Sequence, residues 1–121
     1  MLTTLTRFRA VTIDVDGELH VADWPAGEEG VYRHLRETIG GNLEVVRLAD
    51  GLDMWVHDEG LSSHQINPVA SYLAAQFGYD HQPYFGPAAF TGGADEDGAT
   101  RPLGHLMQAA VTAHARRASL L

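Results

Sequence analysis

Alternating apolar and polar residues predict a β-hairpin in the middle of the chain. Residues 43–48 are rich in strand-forming types, and residues 52–57 alternate strictly between apolar and polar or mixed positions. The dipeptide Asp50-Gly51 between them tolerates the positive φ angles of a tight hairpin turn. The apolar set of the second strand is Leu52, Met54 and Val56. Because neither face of the hairpin is purely polar, we expect it to lie inside a sheet that is partly covered on both sides.

The turn type predicts which residues of the hairpin face each other. A two-residue turn pairs Ala49 with Leu52, and counting outwards sets Glu44 opposite His57 on the same face. Such a pair is typical of a cross-strand ion pair at a sheet edge, and this is the interpretation we favour. The alternative is a carboxylate that orients an imidazole, an arrangement used by general bases and metal ligands.

Helical spacing of apolar residues predicts three helices, at about residues 28–39, 68–77 and 103–118. The first is expected to end at Gly40-Gly41, which favours a left-handed stop. The second is expected to begin at Asn67-Pro68, because asparagine caps free N–H groups and proline is tolerated at the first helical position. The inward residues expected for the third helix are Leu103, Leu106, Met107, Ala110 and Val111.

Three further strands complete the predicted fold, at residues 7–14, 19–24 and 87–91. Between the first two we expect a three-residue loop, Val15-Asp16-Gly17, with Gly17 in the left-handed region, because this loop brings both apolar sets onto one face. The chain therefore predicts an α+β fold. We expect one compact domain over residues 1–121, with a mostly antiparallel sheet of four or five strands built on the central hairpin at 43–57.

The composition narrows the possible environments and partners. The formal charge is −8, from 16 acidic and 8 basic residues, and every basic residue is arginine. This acidity argues against direct binding of nucleic acid. The chain has no cysteine, which excludes disulfides, thiolate metal sites and cysteine nucleophiles. It shows neither an apolar run long enough to cross a bilayer nor the apolar segment of a signal peptide, so we expect a cytoplasmic protein without membrane contact.

Catalytic and metal-binding motifs are not evident in the sequence. The seven histidines form no metal-binding array on a single helix, and there is no nucleophile elbow, phosphate-binding loop or dinucleotide fingerprint. Asp14 and Asp16 share a face and could hold a metal, but a solvated strand end is the better interpretation. The acidic loop at residues 95–98 lacks the glutamate that closes a calcium loop at position twelve, where Leu106 stands. We therefore expect no cofactor and no resident metal.

An acidic corner after the central hairpin contains the candidate contact residues. It combines the Asp58-Glu59-Gly60 turn with the neighbouring imidazole and the helix start. The candidate contacts with a ligand or partner are Glu44, His57, Asp58, Glu59 and Asn67. A catalytic role for them would require a pocket and shifted pKa values.

The chain resembles the family known as domain of unknown function 3846, which occurs in phage, plasmid and bacterial mobile-element sequences. The shared features are a helix that ends in Gly-Gly, a short strand, an acidic-glycine corner, an asparagine, a strand between spaced glycines and an acidic-glycine loop. They stand here at residues 35–41, 43–46 and 58–60, at Asn67, and at residues 86–92 and 95–98. The resemblance covers roughly residues 28–105. It departs at Asp58, where asparagine is common, and in a longer segment between Asn67 and Gly86. It implies a compact α+β domain and brings no known reaction, cofactor or catalytic residue.

Three functions are compatible with these observations. The first is a non-enzymatic accessory domain of mobile-element type that binds an unknown protein partner, with a homodimer through the last helix or a sheet edge as one form. The second is an acidic decoy for a basic nucleic-acid-binding protein. The third is a small enzyme or ligand binder with a site at the acidic corner. We favour the first, because the surface is acidic and catalytic motifs are missing.

Overall fold

A computed structural model describes residues 7–121 and contains one five-stranded antiparallel sheet. In chain order the strands are β1 (Arg7–Ile13), β2 (Leu19–Pro25), β3 (Leu43–Ala49), β4 (Leu52–His57) and β5 (Ala88–Thr91). The helices are α1 (Glu28–Ile39), α2 (Gly60–Ser63), α3 (Pro68–Gln76) and α4 (His105–Ala118). The strand order across the sheet is β2-β1-β5-β4-β3. The predicted α+β class is confirmed, and the short helix α2 adds a fourth helix to the three that we predicted.

Helices cover both faces of the sheet. On one face α1 buries Val31, Leu35 and Ile39 against a cluster that contains Trp24 and Trp55. On the other face α3 and α4 pack over a larger cluster. The sheet contributes to that cluster Val11, Ile13, Leu52, Met54, Val56 and Phe90. All four residues of β5 are buried, because this strand lies in the middle of the sheet with apolar cover above and below.

The loop between β1 and β2 has the predicted three-residue form. The Asp14 N–H donates to the Glu18 carbonyl at 3.1 Å, and Gly17 has a φ of 87°. The Asp14 carboxylate also accepts the N–H groups of Asp16 and Glu18, each at 3.0 Å. The same set of bonds recurs in the acidic loop at residues 95–99, where Asp95 plays the part of Asp14. Both loops are therefore turns in which an aspartate binds its own backbone.

The predicted register of the central hairpin is wrong beyond its turn. Ala49 pairs with Leu52 as expected, but an irregularity between Arg47 and Ala49 inserts Leu48 as an extra residue. Beyond this bulge Glu44 pairs with Val56, and His57 pairs with Leu43. Since one extra residue moves all following side chains to the opposite face, Glu44 and His57 are not cross-strand partners. The prediction that Leu52, Met54 and Val56 share one face of β4 is confirmed, because the bulge lies on β3 and leaves the alternation along β4 intact.

The prediction that Leu106 faces inwards on the last helix is also wrong. Leu106 is 88% exposed, whereas Val111 and Ala115 are buried. The helix begins at His105 rather than at residue 103, and the buried Leu103 precedes it. Leu106 stands five residues before Val111, which rotates it about 140° away from the buried stripe at 3.6 residues per turn.

Two glycine-to-alanine changes should have opposite effects on stability. Gly51 has a φ of 78°, so Gly51→Ala should cost about 1–2 kcal/mol in backbone strain. Gly30 lies inside α1 with room for a Cβ, so Gly30→Ala should stabilise the protein by about 0.5–1 kcal/mol. Chemical denaturation of the two variants measures both values. A loss of stability in both variants, or in neither, would contradict the assigned backbone conformations.

Candidate functional site

A cleft of about 320 Å³ opens at the corner of the sheet where β4 ends. We call it the corner cleft, and its lining residues are Glu44, Val56, His57, Asp58, Gly60, Leu61, Gln82, Pro83, Tyr84 and Phe85. Its volume lies at the lower end of the range for ligand pockets, which begins at about 300 Å³. Three of the five predicted contact residues therefore meet here: Glu44, His57 and Asp58. Glu59 and Asn67 do not line the cleft.

His57 is fixed by contacts at both of its ring nitrogens. Its Nδ1 accepts the N–H of Glu59 at 2.9 Å. Its Nε2 lies so close to Gly41 that a Cβ at that position would collide with it. The ring also packs against the imidazole of His64, with ring centroids 4.7 Å apart. Because both nitrogens face the backbone of neighbouring segments, the geometry favours a structural role for His57 over that of a general base.

The remaining charge in the cleft is negative. Among residues 7–121 no arginine lines it, and the His57 imidazole is the only basic group within 4.0 Å of the Asp58 carboxylate, with Oδ1 3.5 Å from Nδ1. Tyr84 is 5% exposed, and its burial raises the pKa of the hydroxyl. The Gln82 side chain partly offsets this rise in pKa, and the Glu44 charge adds to it. The cleft thus presents two carboxylates beside a phenol that stays protonated, a set suited to binding a cation.

Asn67 is the helix cap that the sequence predicted. Its side-chain oxygen accepts the N–H of Ala70 at 3.0 Å, at the start of α3. Its amide nitrogen donates to the carbonyls of Ile13 at 3.0 Å and Gly86 at 2.9 Å. The side chain is fully buried, so we assign Asn67 a structural role. It also positions one wall of the cleft, because its backbone N–H donates to the carbonyl of Tyr84 at 2.8 Å.

Glu59 supports the cleft from outside through its backbone. Its carbonyl accepts the hydroxyls of Ser62 and Ser63, at 3.1 and 2.9 Å, at the start of α2. The lining residues that we did not predict are Val56, Gly60, Leu61 and residues 82–85. His64, which packs against His57 without lining the cleft, was not predicted either. The aromatic and proline-containing loop at residues 79–84 was a signal for Gln82 and Tyr84, but sequence spacing gives no reason to place this loop beside β4.

One cluster with acidic side chains and one buried carboxylate, Asp53, lie away from the corner cleft. Asp14, Glu18 and His20 each bring one ligand atom within 4.8 Å of the others, a set that replaces the Asp14 and Asp16 pair we considered. The Asp14 carboxylate is already engaged by backbone N–H groups, as described for its loop. On β4 burial raises the pKa of Asp53, and the charge of Arg47 opposes that rise.

Fold and site define a small acidic α+β domain with an anionic corner cleft. None of the helices within residues 7–121 is long and apolar enough to span a membrane. The chain matches the family described as Domain of unknown function (DUF3846) over residues 8–115, and it belongs to that family. The match extends the resemblance at residues 28–105 to β1, β2 and most of α4. Searches of curated proteins and of solved structures found no match.

Removing the Asn67 side chain should destabilise the whole fold. Asn67→Ala removes three buried hydrogen bonds, two to the carbonyls of Ile13 and Gly86 and one from the N–H of Ala70, so we expect a loss of more than about 2 kcal/mol in the free energy of unfolding. Asn42 is exposed, and Asn42→Ala is the matched control, expected to stay within about 0.5 kcal/mol. Equal effects of the two substitutions in urea denaturation would refute the role given to Asn67.

The contact between Gly41 and His57 can be tested by a double-mutant cycle. Gly41→Ala should cost about 1–3 kcal/mol, because the new methyl group displaces the imidazole ring. In a His57→Ala background the same substitution should cost little, since the obstructing ring is absent. Additive effects of the two substitutions on the free energy of unfolding would show that His57 does not occupy this position.

Proposed function

We propose that the protein is a non-enzymatic accessory domain that binds a partner protein, with the corner cleft as the contact site for a basic side chain. The observation that supports this proposal is the pair of carboxylates, Glu44 and Asp58, in a cleft that no arginine of the described part of the chain lines. Guanidinium and ammonium groups are the natural partners of such carboxylates. The formal charge of −8 adds a general attraction for basic surfaces.

The alternatives have weaker support. An enzyme at this corner would need a base that can reach a substrate, whereas the two ring nitrogens of His57 contact the backbone of neighbouring segments. A decoy that imitates nucleic acid would need regularly spaced charges over a surface, and the proposed contact depends instead on one cleft. An accessory role in a mobile element agrees with the resemblance to sequences of that origin. A homodimer is one form that the interaction could take.

The proposal predicts that the cleft binds an isolated arginine side chain. Acetyl-arginine-amide, titrated into ¹⁵N-labelled protein, should give saturable chemical-shift changes at Glu44, His57, Asp58 and Tyr84. The affinity should fall about tenfold or more in the E44Q/D58N variant, because both charge-assisted contacts are lost. It should also weaken with added salt.

The matched control removes two negative charges outside the corner cleft. Glu96 and Asp97 are exposed in the acidic loop at residues 95–98, and E96Q/D97N removes as many negative charges there as E44Q/D58N removes from the cleft. This variant should bind acetyl-arginine-amide like the unmodified protein. The proposal fails if shift changes spread over all acidic surfaces without saturating, or if both double variants bind equally weakly.

A further inference from the structure

The outer edge of β3 is open beside the corner cleft. β3 is one of the two outermost strands of the sheet, and within residues 7–121 it pairs only with β4. Its apolar residues Leu43, Val45 and Val46 are partly buried, and the strand contains no lysine or proline, the residues that commonly protect an edge. Edge strands of this kind accept a further strand from another chain.

Hydrogen bonding at the start of β3 determines which backbone groups face outwards. The Asp58 N–H donates to the Asn42 carbonyl at 3.0 Å, so these two residues form a hydrogen-bonded pair. Since bonded and non-bonded pairs alternate along an antiparallel ladder, the N–H and C=O groups of Leu43 and Val45 point away from β4. The Arg47 carbonyl, two residues further on, also points away from β4. Its hydrogen bond from the Tyr79 hydroxyl, at 2.7 Å, agrees with this direction.

The open part of this edge is therefore short and well defined. The Tyr79 hydroxyl donates a hydrogen bond to the Arg47 carbonyl, and the bulge at Leu48 interrupts the ladder beyond this residue. Within residues 7–121 the outward N–H and C=O groups of Leu43 and Val45 have no hydrogen-bond partner. Two donor and acceptor pairs, spaced two residues apart, are the pattern that an added strand requires.

The edge and the cleft share Glu44. Its side chain lies on the same sheet face as Val56, its cross-strand partner, and both residues line the corner cleft. Side chains of directly opposite residues share a face. A residue placed opposite Glu44 on an added strand would consequently direct its side chain towards the carboxylates of Glu44 and Asp58.

The other outer strand lacks this combination. β2 ends at Pro25, and the carboxylate of Asp23 on this strand already binds the guanidinium of Arg9, with Oδ1 2.7 Å from Nε. It offers no unpaired carboxylate in a cleft comparable with that of Glu44 and Asp58. Charge complementarity therefore favours the β3 edge as the place where a basic segment docks.

We propose that the β3 edge and the corner cleft together bind an extended segment of the partner protein as a sixth strand. The segment carries arginine or lysine opposite Glu44, and its two flanking residues exchange backbone hydrogen bonds with Leu43 and Val45. This inference rests on the proposed function, because it assigns the basic side chain to the same cleft.

The test compares two peptides with the same charge. Acetyl-Thr-Val-Arg-Val-Thr-amide can donate and accept on both sides of its arginine, whereas acetyl-Thr-Pro-Arg-Pro-Thr-amide lacks both flanking N–H donors. We expect the valine peptide to bind about tenfold more tightly than the proline peptide and to slow amide hydrogen exchange at Leu43 and Val45. Acetyl-arginine-amide should change the chemical shifts of the cleft residues without slowing amide hydrogen exchange at Leu43 and Val45.

A variant of the protein gives the reciprocal test. Val45→Pro removes an outward N–H without removing a bond to β4, so the sheet should persist. Affinity for the valine peptide should fall about tenfold while affinity for acetyl-arginine-amide is unchanged. Circular dichroism checks that V45P is folded, and if it is not, the exchange measurement on the unmodified chain decides.

The outcomes separate this inference from the proposed function. Equal binding of the two peptides, without slower exchange at Leu43 and Val45, overturns strand addition and leaves the cleft as a cation site. The same conclusion follows if acetyl-arginine-amide binds and neither peptide does. If none of the three ligands binds, the proposed function fails, and strand addition fails with it.

Discussion

The side-chain amide of Asn67 is the interaction on which the arrangement of this domain depends. It joins the end of β1, the start of α3 and the segment before β5, with both donors and the acceptor engaged inside the protein. An unmade hydrogen bond in this buried position costs more than a made one contributes, so the three segments are held together. The segment at residues 84–86, which includes Tyr84 in the wall of the corner cleft, is positioned by the same residue through its backbone.

A second constraint is the bulge at Leu48. A hairpin without it would place Glu44 opposite His57, whereas the observed register places Glu44 with Val56 on the cleft face. The bulge also limits the open part of the β3 edge, together with the hydroxyl of Tyr79. One inserted residue thereby determines both the charge of the cleft and the length of the adjacent backbone edge.

The corner cleft combines rigid and unsatisfied groups. His57 is packed between Gly41 and His64 and binds a backbone N–H, so it stabilises the corner. Glu44 and Asp58 have no arginine beside them among the cleft residues that the structure describes. Fixed walls with unneutralised carboxylates are characteristic of recognition sites, because a cation that binds there requires little reorganisation of the protein. This arrangement is the basis on which we propose that the corner binds a basic side chain of a partner protein.

The sequence by itself determined the local features: the left-handed glycines at positions 17, 40 and 51 and the cap at Asn67. These depend on backbone φ and on bonds within a few residues, which local residue types control. The α+β class followed from periodicity. Glu44, His57 and Asp58 line one cleft, although the predicted pairing of Glu44 with His57 is wrong. Only the tertiary structure decided the bulge at Leu48, the central position of β5 and the contact of Tyr84 with the cleft. These arise from packing between segments distant in sequence, where burial outweighs the local pattern.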